Sequence, residues 1–438
     1  MLRLAWIAVV AGTLAPACAE PRGRPSVLLV TVDTLRADFL GCYGMPADLT
    51  PNLDRLAESG LRFERHYSPA VYTGPAHASL LSGLYPPVHG VLRNGVELGS
   101  EPPLLPEVFA AAGYRTGAVV AAAVLGSDYG FARGFETFDE PAKRDAPRDT
   151  YERTAGDVVD RALALLAADD DRPVFLWVHL YDPHYPYAAP VEVPYSGGEA
   201  LAGRISIPDW VERSEADGFA AAYAAEIAYV DAELGRLLAR WDELADGVVA
   251  VTADHGEGLR QRGYRPHGML LYDEHVRAPL LLRAPSIAGA TRIDAVTSAV
   301  GLPATLLSLA GLPAPDGAAA RLQLEAGEGA GGEAFFCRPS ASPNKGASRS
   351  KGFPRIGCGL ARQVGLVEGR WKAIFSEEVG LELYDLQRDP GELTNVAEAN
   401  ADEARALSER LRSWAAQGTG DDEAFDDDTR RMLDALGY

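Results

Sequence analysis

Four residues of this 438-residue chain combine side chains and neighbours suited to metal-assisted nucleophilic chemistry: Asp33, Thr73, Asp254 and His255. Thr73 stands in the window Tyr72-Thr73-Gly74-Pro75-Ala76-His77-Ala78-Ser79-Leu80-Leu81-Ser82-Gly83, just before a Pro-started, Ala- and Leu-rich helix. A helix start offers free backbone N–H groups and the positive end of the dipole, which stabilise an alkoxide or the oxyanion it attacks. Taken alone, a threonine there reads first as a structural N-cap, and its company with Asp33, Asp254 and His255 is what points to chemistry. Asp33 and the Asp254-His255 pair each end a predicted core strand. Two carboxylates, an imidazole and an alkoxide form a mixed oxygen and nitrogen shell for a divalent cation, which lowers the hydroxyl's pKa and neutralises substrate charge. Asp-His-Gly after a strand also reads as a plain turn.

Strands must present these groups together. The run Val27-Leu28-Leu29-Val30-Thr31-Val32 is apolar and β-branched, as in a parallel strand covered on both faces, and it ends at Asp33. A second such run, Gly247-Val248-Val249-Ala250-Val251-Thr252, leads to Asp254-His255, and a third, Val174-Phe175-Leu176-Trp177-Val178, ends near His179 and Asp182. Ligands of open α/β sheets collect at such carboxyl edges. Helical patterns lie between them. Thr50-Pro51 opens one as cap and first-turn proline, with Leu53, Leu56 and Ala57 on its apolar face and Gly60 as its stop. Others cover residues 105–112, 151–167 and 219–241. The predicted body, residues 24–312, is a doubly wound, mostly parallel α/β sheet flanked by helices. Residues 313–352 are rich in Gly, Ala and Ser and read as a linker or long loop. Residues 353–417 read as a small C-terminal α+β subdomain, and 418–438 as a solvated acidic tail.

The N-terminus, residues 1–19, has the charge and short apolar run of a signal peptide, which predicts export to the periplasm, the envelope or the medium. Ala17-Cys18-Ala19 supplies a cleavage site, while Leu14-Ala15-Pro16-Ala17-Cys18 matches a loose lipobox that would anchor the chain to a membrane through lipidated Cys18. Cys337 and Cys358 are the candidates for a disulfide, against two unbridged thiols, with Cys42 left alone. A net charge of -21, from 41 basic and 62 acidic residues, excludes a nucleic-acid partner by repulsion. Composition is silent on oligomeric state.

The ordered phrases VTVDTLRADFLGCYG, TPNLDRLAESG, PAHASLLSGLYP, HGVLRNG, DPHYPY, TADHGEG, HGMLLYDE with RAP after it, and ELYDLQRDPGELTNVA resemble the blocks of the sulfatase family, within the alkaline phosphatase superfamily. The resemblance runs from Ser26 to about Val396. It implies a large α/β domain with a small C-terminal subdomain, an alkaline phosphatase-like fold. It places Asp33, Asp254 and His255 on a metal that Thr73, the nucleophile, also touches. It puts His184 and His267 beside the transferred group as proton donors and acceptors, and makes Asn94 an oxyanion contact, against the alternatives of ordinary loop histidines and a turn-forming Asn-Gly.

Departures from the family bear on substrate choice. Sulfate-cleaving members carry Cys or Ser where this chain has Thr73, and Arg where it has His77, which is expected to contact substrate in that Arg's stead. Formylglycine requires an unsubstituted β-carbon, so the β-methyl of Thr73 excludes that cofactor. Cys337-Arg338-Pro339-Ser340-Ala341 imitates the formylglycine motif but ends in Ala and is set down as a decoy. Thr34 replaces the second Asp of the tandem pair, and Val and Ala follow Gly113-Tyr114-Arg115-Thr116 where Lys and His are expected. A shell with an imidazole and a threonine oxygen favours zinc or manganese, with calcium or magnesium as alternatives. The expected activity is metal-dependent hydrolysis of phosphate or phosphonate esters, small or envelope-borne, through a covalent Thr73 intermediate. A sulfuric ester hydrolase without formylglycine, an envelope phosphotransferase and a non-catalytic ligand-binding homologue are the rivals.

Overall fold

The computed structural model describes residues 23–101, 103–141, 152–168, 170–190, 213–244, 247–263, 267–325, 332–338, 363–376 and 379–415. The signal segment with Cys18, the acidic tail and Cys358 lie outside them. Among the described residues no helix is long and apolar enough to cross a membrane.

In chain order the elements are β1 (Val27–Val32), α1 (Pro51–Glu58), β2 (Leu61–Tyr67), α2 (Thr73–Ser82), α3 (Pro86–His89), α4 (Leu105–Ala111), β3 (Arg115–Val120) and β4 (Thr137–Asp139). There follow α5 (Ala155–Leu166), β5 (Val174–Leu180), α6 (Arg213–Leu244), β6 (Val248–Ala253), α7 (Asp273–Val276), β7 (Arg277–Ala278), β8 (Leu280–Arg283), β9 (Thr291–Ser298) and α8 (Leu302–Leu309). The C-terminal part holds β10 (Glu333–Arg338), β11 (Gln363–Glu368), β12 (Trp371–Ser376), β13 (Gly380–Asp385) and α9 (Ala401–Ala415).

The large sheet runs β4-β3-β5-β1-β6-β8-β2-β7, with β9 also on β2. β1 is buried throughout and pairs in parallel with β5 and β6, which explains its unbroken apolar run. The body is therefore mostly parallel, as its sequence predicts. Its antiparallel half is less legible: β8 runs against β6, and β2 against β7 and β8. Alternation along β5 shows how the faces are covered. Phe175 stacks on Phe109 of α4 with ring centroids 4.5 Å apart, while its neighbour Leu176 faces the other way, beside Leu165 of α5. α1, α5 and α6 pack as one helical group, and α2, α4 and α8 as another.

Two expectations are corrected. Thr50 does not cap α1: its Oγ1 accepts from Gly41 N at 2.8 Å, and Asp231 of α6 caps instead, accepting from Asn52 N at 3.0 Å and Leu53 N at 2.8 Å. A side chain on another element satisfies those orphan amides, which local spacing does not reveal. β10 lies inside the stretch read as linker. It forms an edge of the antiparallel sheet β10-β11-β12-β13, its Phe336 and Cys337 are buried, and Cys337 N donates to Pro69 O at 2.9 Å. Its core is a six-residue strand, too short to stand out from Gly- and Ala-rich flanks. α9 covers this sheet with Leu407, Leu411 and Trp414, and Trp414 stacks on Phe335 at 5.2 Å.

Candidate active site

Strand register assembles the centre. Val32 is level with Ala253, so Asp33 and Asp254 leave adjacent strands side by side at the carboxyl edge. Asp33 N donates to Leu180 O at 2.9 Å, which keeps the backbone extended one step beyond the strand. Its Oδ2 lies 3.4 Å from Thr73 Oγ1 and 3.5 Å from His179 Nε2, whereas Oδ1 has no hydrogen-bond partner among the described residues. Asp254 is arranged in the same divided way. Oδ1 accepts from Thr34 N at 3.0 Å and His255 N at 2.7 Å, and among the described residues Oδ2 accepts no hydrogen bond. Thr34 achieves this at a φ of 53°, left-handed and strained for a β-branched residue. His255 donates from Nδ1 to Gly256 O at 3.0 Å, so the Nε2 lone pair is unspent.

One ligand atom from each of Asp33, Asp254 and His255 lies within 4.8 Å of the others, and all three residues are fully buried. Orphaned buried acceptors are costly, and two carboxylates with an imidazole lone pair suit a divalent cation. The residues present fit that group. Without it, burial drives the Asp33 carboxyl well above its ordinary range, with Asp254 and Glu257 adding to the push and the Thr73 hydroxyl opposing it.

α2 begins at Thr73 and is buried along its whole length. The next residue, Gly74, donates its N–H to Asn94 Oδ1 at 2.6 Å, leaving the Asn94 amide hydrogens without a partner among the described residues. The amide nitrogen of Asn94 is therefore the end of that side chain left for another acceptor. His77 is placed otherwise than expected. Trp177 Nε1 donates to Thr31 Oγ1 at 3.0 Å, the Thr31 hydroxyl donates to His77 Nε2 at 3.0 Å, and His77 Nδ1 donates to Thr73 O at 2.8 Å. Both ring nitrogens are spent, and burial, against the pull of Asp254, holds the imidazole below its ordinary pKa. His77 props the Thr73 backbone from beneath, with no ring nitrogen left for a substrate. Its position one helical turn on points it back under Thr73.

Three histidines line up beside the carboxylates. His255 and His267 have ring centroids 4.8 Å apart, and His267 and His184 4.7 Å. His184 stacks on Tyr181 at 4.4 Å and donates from Nδ1 to Tyr185 O at 2.7 Å. His267 Nδ1 lies 3.3 Å from Glu257 Oε1. Burial and then the neighbouring imidazole lower the pKa of both His184 and His267, while burial pushes Glu257 up to about 8. The sequence marks His179 only as lying near the end of a core strand and gives neither it nor Glu257 a place in the site. The signal for His179 is a polar residue inside a buried strand; that for Glu257 is an acid in the TADHGEG phrase.

The sequence profile described as Sulfatase matches residues 25–312. The chain is 26% identical to a choline-sulfatase of Rhizobium meliloti, over 86% of this chain and 83% of that protein. It is 27% identical to an ulvan-active sulfatase of Formosa agariphila, over 67% of this chain and 63% of that longer relative. A solved phosphonate monoester hydrolase of Agrobacterium radiobacter shares the fold with a TM-score of 0.69 at 24% identity, covering 90% of this chain and 96% of its own. The profile match spans well over half of the residues, including Asp33, Thr73, Asp254 and His255, and the chain belongs to the sulfatase family of hydrolases.

Proposed function

We propose that this sulfatase-family hydrolase cleaves phosphate or phosphonate esters in two displacements through a covalent Thr73 ester. The observation that carries the reading is the placement of Thr73 Oγ1 at the start of α2, 3.4 Å from Asp33 Oδ2 and next to the Gly74–Asn94 contact. Threonine cannot become formylglycine, so the hydroxyl itself must react. Likeness to solved phosphonate monoester hydrolases supports the oxyanion class.

Asp33 Oδ1, Asp254 Oδ2 and His255 Nε2 would hold a divalent cation, with zinc or manganese favoured by the donor set. When bound, the cation supplies positive charge that lowers the Thr73 hydroxyl's pKa and offsets charge on the substrate. The chain's own groups then divide the work. Thr73 Oγ1 forms its bond to phosphorus as its proton passes towards Asp33 Oδ2. The Asn94 amide donates to the oxygen on which charge develops. The bond from phosphorus to the leaving alcohol breaks, and that alcohol oxygen takes a proton from His267. His267 suits this role because Glu257 stands at its Nδ1, whereas the Nδ1 proton of His184 is committed to Tyr185 O. Water then forms its bond to phosphorus, returns a proton to His267 and releases Thr73 Oγ1, which recovers its own.

A second reading, hydrolysis of a sulfate ester by unmodified threonine, is favoured by the choline-sulfatase and ulvan-active sulfatase among the relatives. One experiment separates the two. Protein of measured metal content is offered nitrophenyl sulfate, a phosphate monoester, a phosphodiester and a phosphonate ester, and the quenched Thr73 peptide is weighed by mass spectrometry. The proposal expects fastest turnover of a phosphorus ester and a phosphorylated or phosphonylated Thr73. Dominant sulfate turnover overturns the substrate class, and an unmodified Thr73 in burst-phase samples overturns the covalent step.

A further inference from the structure

His179 belongs to none of the motifs that mark the family resemblance, yet it is fully buried against the reactive centre. It sits in β5 level with Thr31 of β1, on the face shared by Trp177, Thr31 and Asp33. Ala121 N donates to its Nδ1 at 3.3 Å. That contact settles the tautomer: a nitrogen that accepts from a backbone amide carries no proton when the ring is neutral, so the proton is on Nε2. Nε2 lies 3.5 Å from Asp33 Oδ2, an electrostatic contact longer than a good hydrogen bond. The ring packs edge-on against His77 at a centroid distance of 4.9 Å, and His77 holds Thr73 O.

The alternative reading is a histidine that merely fills the core. A space-filling role leaves the choice of facing atom to chance. Here the ring's Nε2 makes no hydrogen bond among the described residues and has the Asp33 carboxylate 3.5 Å away, in a centre where burial makes any unmatched proton costly. We propose that His179 is a positioning residue: it holds Asp33 Oδ2 on the side of Thr73 and thereby turns Oδ1 outward as the metal-binding oxygen. Thr73 Oγ1, 3.4 Å away, is the other contact on Oδ2; with that one alone the carboxylate samples a wider rotation about χ2, which moves the ligand atom away from Asp254 and His255. Polar groups behind a ligand typically change metal affinity by about ten- to a hundredfold when removed.

The proposal rests on Asp33 being a metal ligand, and the test separates the two ideas. The full-length protein is stripped of metal and titrated with zinc or manganese in a chelator competition, and kcat and KM are measured on whichever ester the wild type turns over. His179→Phe keeps the ring and removes the donor. It is expected to weaken metal binding about tenfold or more, and to lower kcat at saturating metal with little change in KM. His179→Gln, whose amide nitrogen reaches the place of Nε2, is expected to recover most of both. Asp33→Asn is the control. If it leaves metal affinity unchanged, the ligand assignment falls, and the role of His179 with it. If Asp33→Asn abolishes binding while His179→Phe matches wild type in affinity and kcat, only the positioning role is overturned. Should His179→Phe fail to fold, His179→Gln and His179→Asn carry the test, because Asn places its donor near Nδ1; equal affinities for these two overturn the proposal.

Discussion

The Gly74 N–H and the Asn94 Oδ1 are 2.6 Å apart, and a Cβ built at position 74 would come within 3.0 Å of that same oxygen. Glycine lets the Asn94 side chain approach the first turn of α2, and the accepted bond fixes which end of the amide is nitrogen. The asparagine is 3% exposed, so its amide hydrogens have been taken out of water beside Thr73. Such a donor is costly unless something anionic meets it during turnover.

Asn94→Asp keeps the acceptor for Gly74 and exchanges the donor for a negative charge. Its kcat should fall by about a hundred- to a thousandfold, with melting temperature changed less than in Gly74→Ala. Steady-state kinetics on the preferred ester, with a melting curve for each variant, checks this. A kcat within a few-fold of wild type would remove Asn94 from the reaction.

Asp33→Asn should act with opposite signs in the two metal states. In metal-free protein, burial first and the neighbouring Asp254 carboxylate second oppose charge on Asp33, so an uncharged amide there removes that cost and raises the melting temperature. With metal at a hundredfold above the dissociation constant, wild type gains about 2.7 kcal/mol, and the variant should gain far less. Calorimetric scans with and without a chelator measure both terms. A variant that melts below wild type in both states contradicts the account.

His77→Ala takes from the Thr73 carbonyl the imidazole donor it has besides its helix bond, and it leaves the Thr31 hydroxyl without its acceptor. The buried hydroxyl so deprived costs about 1–3 kcal/mol, and the ring's space becomes a cavity. Urea unfolding should show that loss, with kcat falling more than KM rises. His77→Arg should not rescue, because the site is fully buried between Trp177 and His179. Recovery of activity by arginine would return position 77 to a substrate-contacting role.

What was legible in the chain depended on how far each signal was local. β1, β5 and β6 stood out because strands buried on both faces read as nearly continuous apolar runs, and the acids after two of them mark the sheet edge. β2 was hidden by its composition, Leu-Arg-Phe-Glu-Arg-His-Tyr, in which charged, partly buried positions interrupt the buried ones, and β7 by its two residues. Asp33, Thr73, Asp254 and His255 could be read together because motifs name them, and the structure does bring them together. His179 could not, since only strand pairing puts it beside Asp33. The replacement of the family's arginine by His77 was visible, but its consequence was not: which way a helical side chain spends its nitrogens depends on Thr31, a strand away. Asp231 capping α1 is the same lesson at longer range.

The loop carrying His255 and His267 should depend on a buried ion pair outside the reactive centre. Arg262 Nε lies 2.6 Å from Glu274 Oε1, with both side chains nearly buried. Its guanidinium stacks on Tyr272 at 3.7 Å and donates to Gly391 O at 2.8 Å, which ties the loop to the C-terminal part. Glu274 belongs to α7, where His275 O accepts from Gly256 N at 2.8 Å, directly after His255. Burial alone would raise the Glu274 carboxyl, but Arg262 overrides it and holds the group below its ordinary value of 4.5. A carboxylate lowered in the folded state adds stability that is fully present above 4.5 and is lost as pH falls through the folded value. Glu274→Gln should therefore cost about 3–5 kcal/mol at pH 7, because a buried arginine loses its counter-charge. The difference from wild type should shrink as pH drops below 4.5, where wild type loses the same interaction. Urea melts from pH 7 down to pH 3 measure the gap. A constant gap across that range would show that Glu274 acts through packing, with no contribution from its charge.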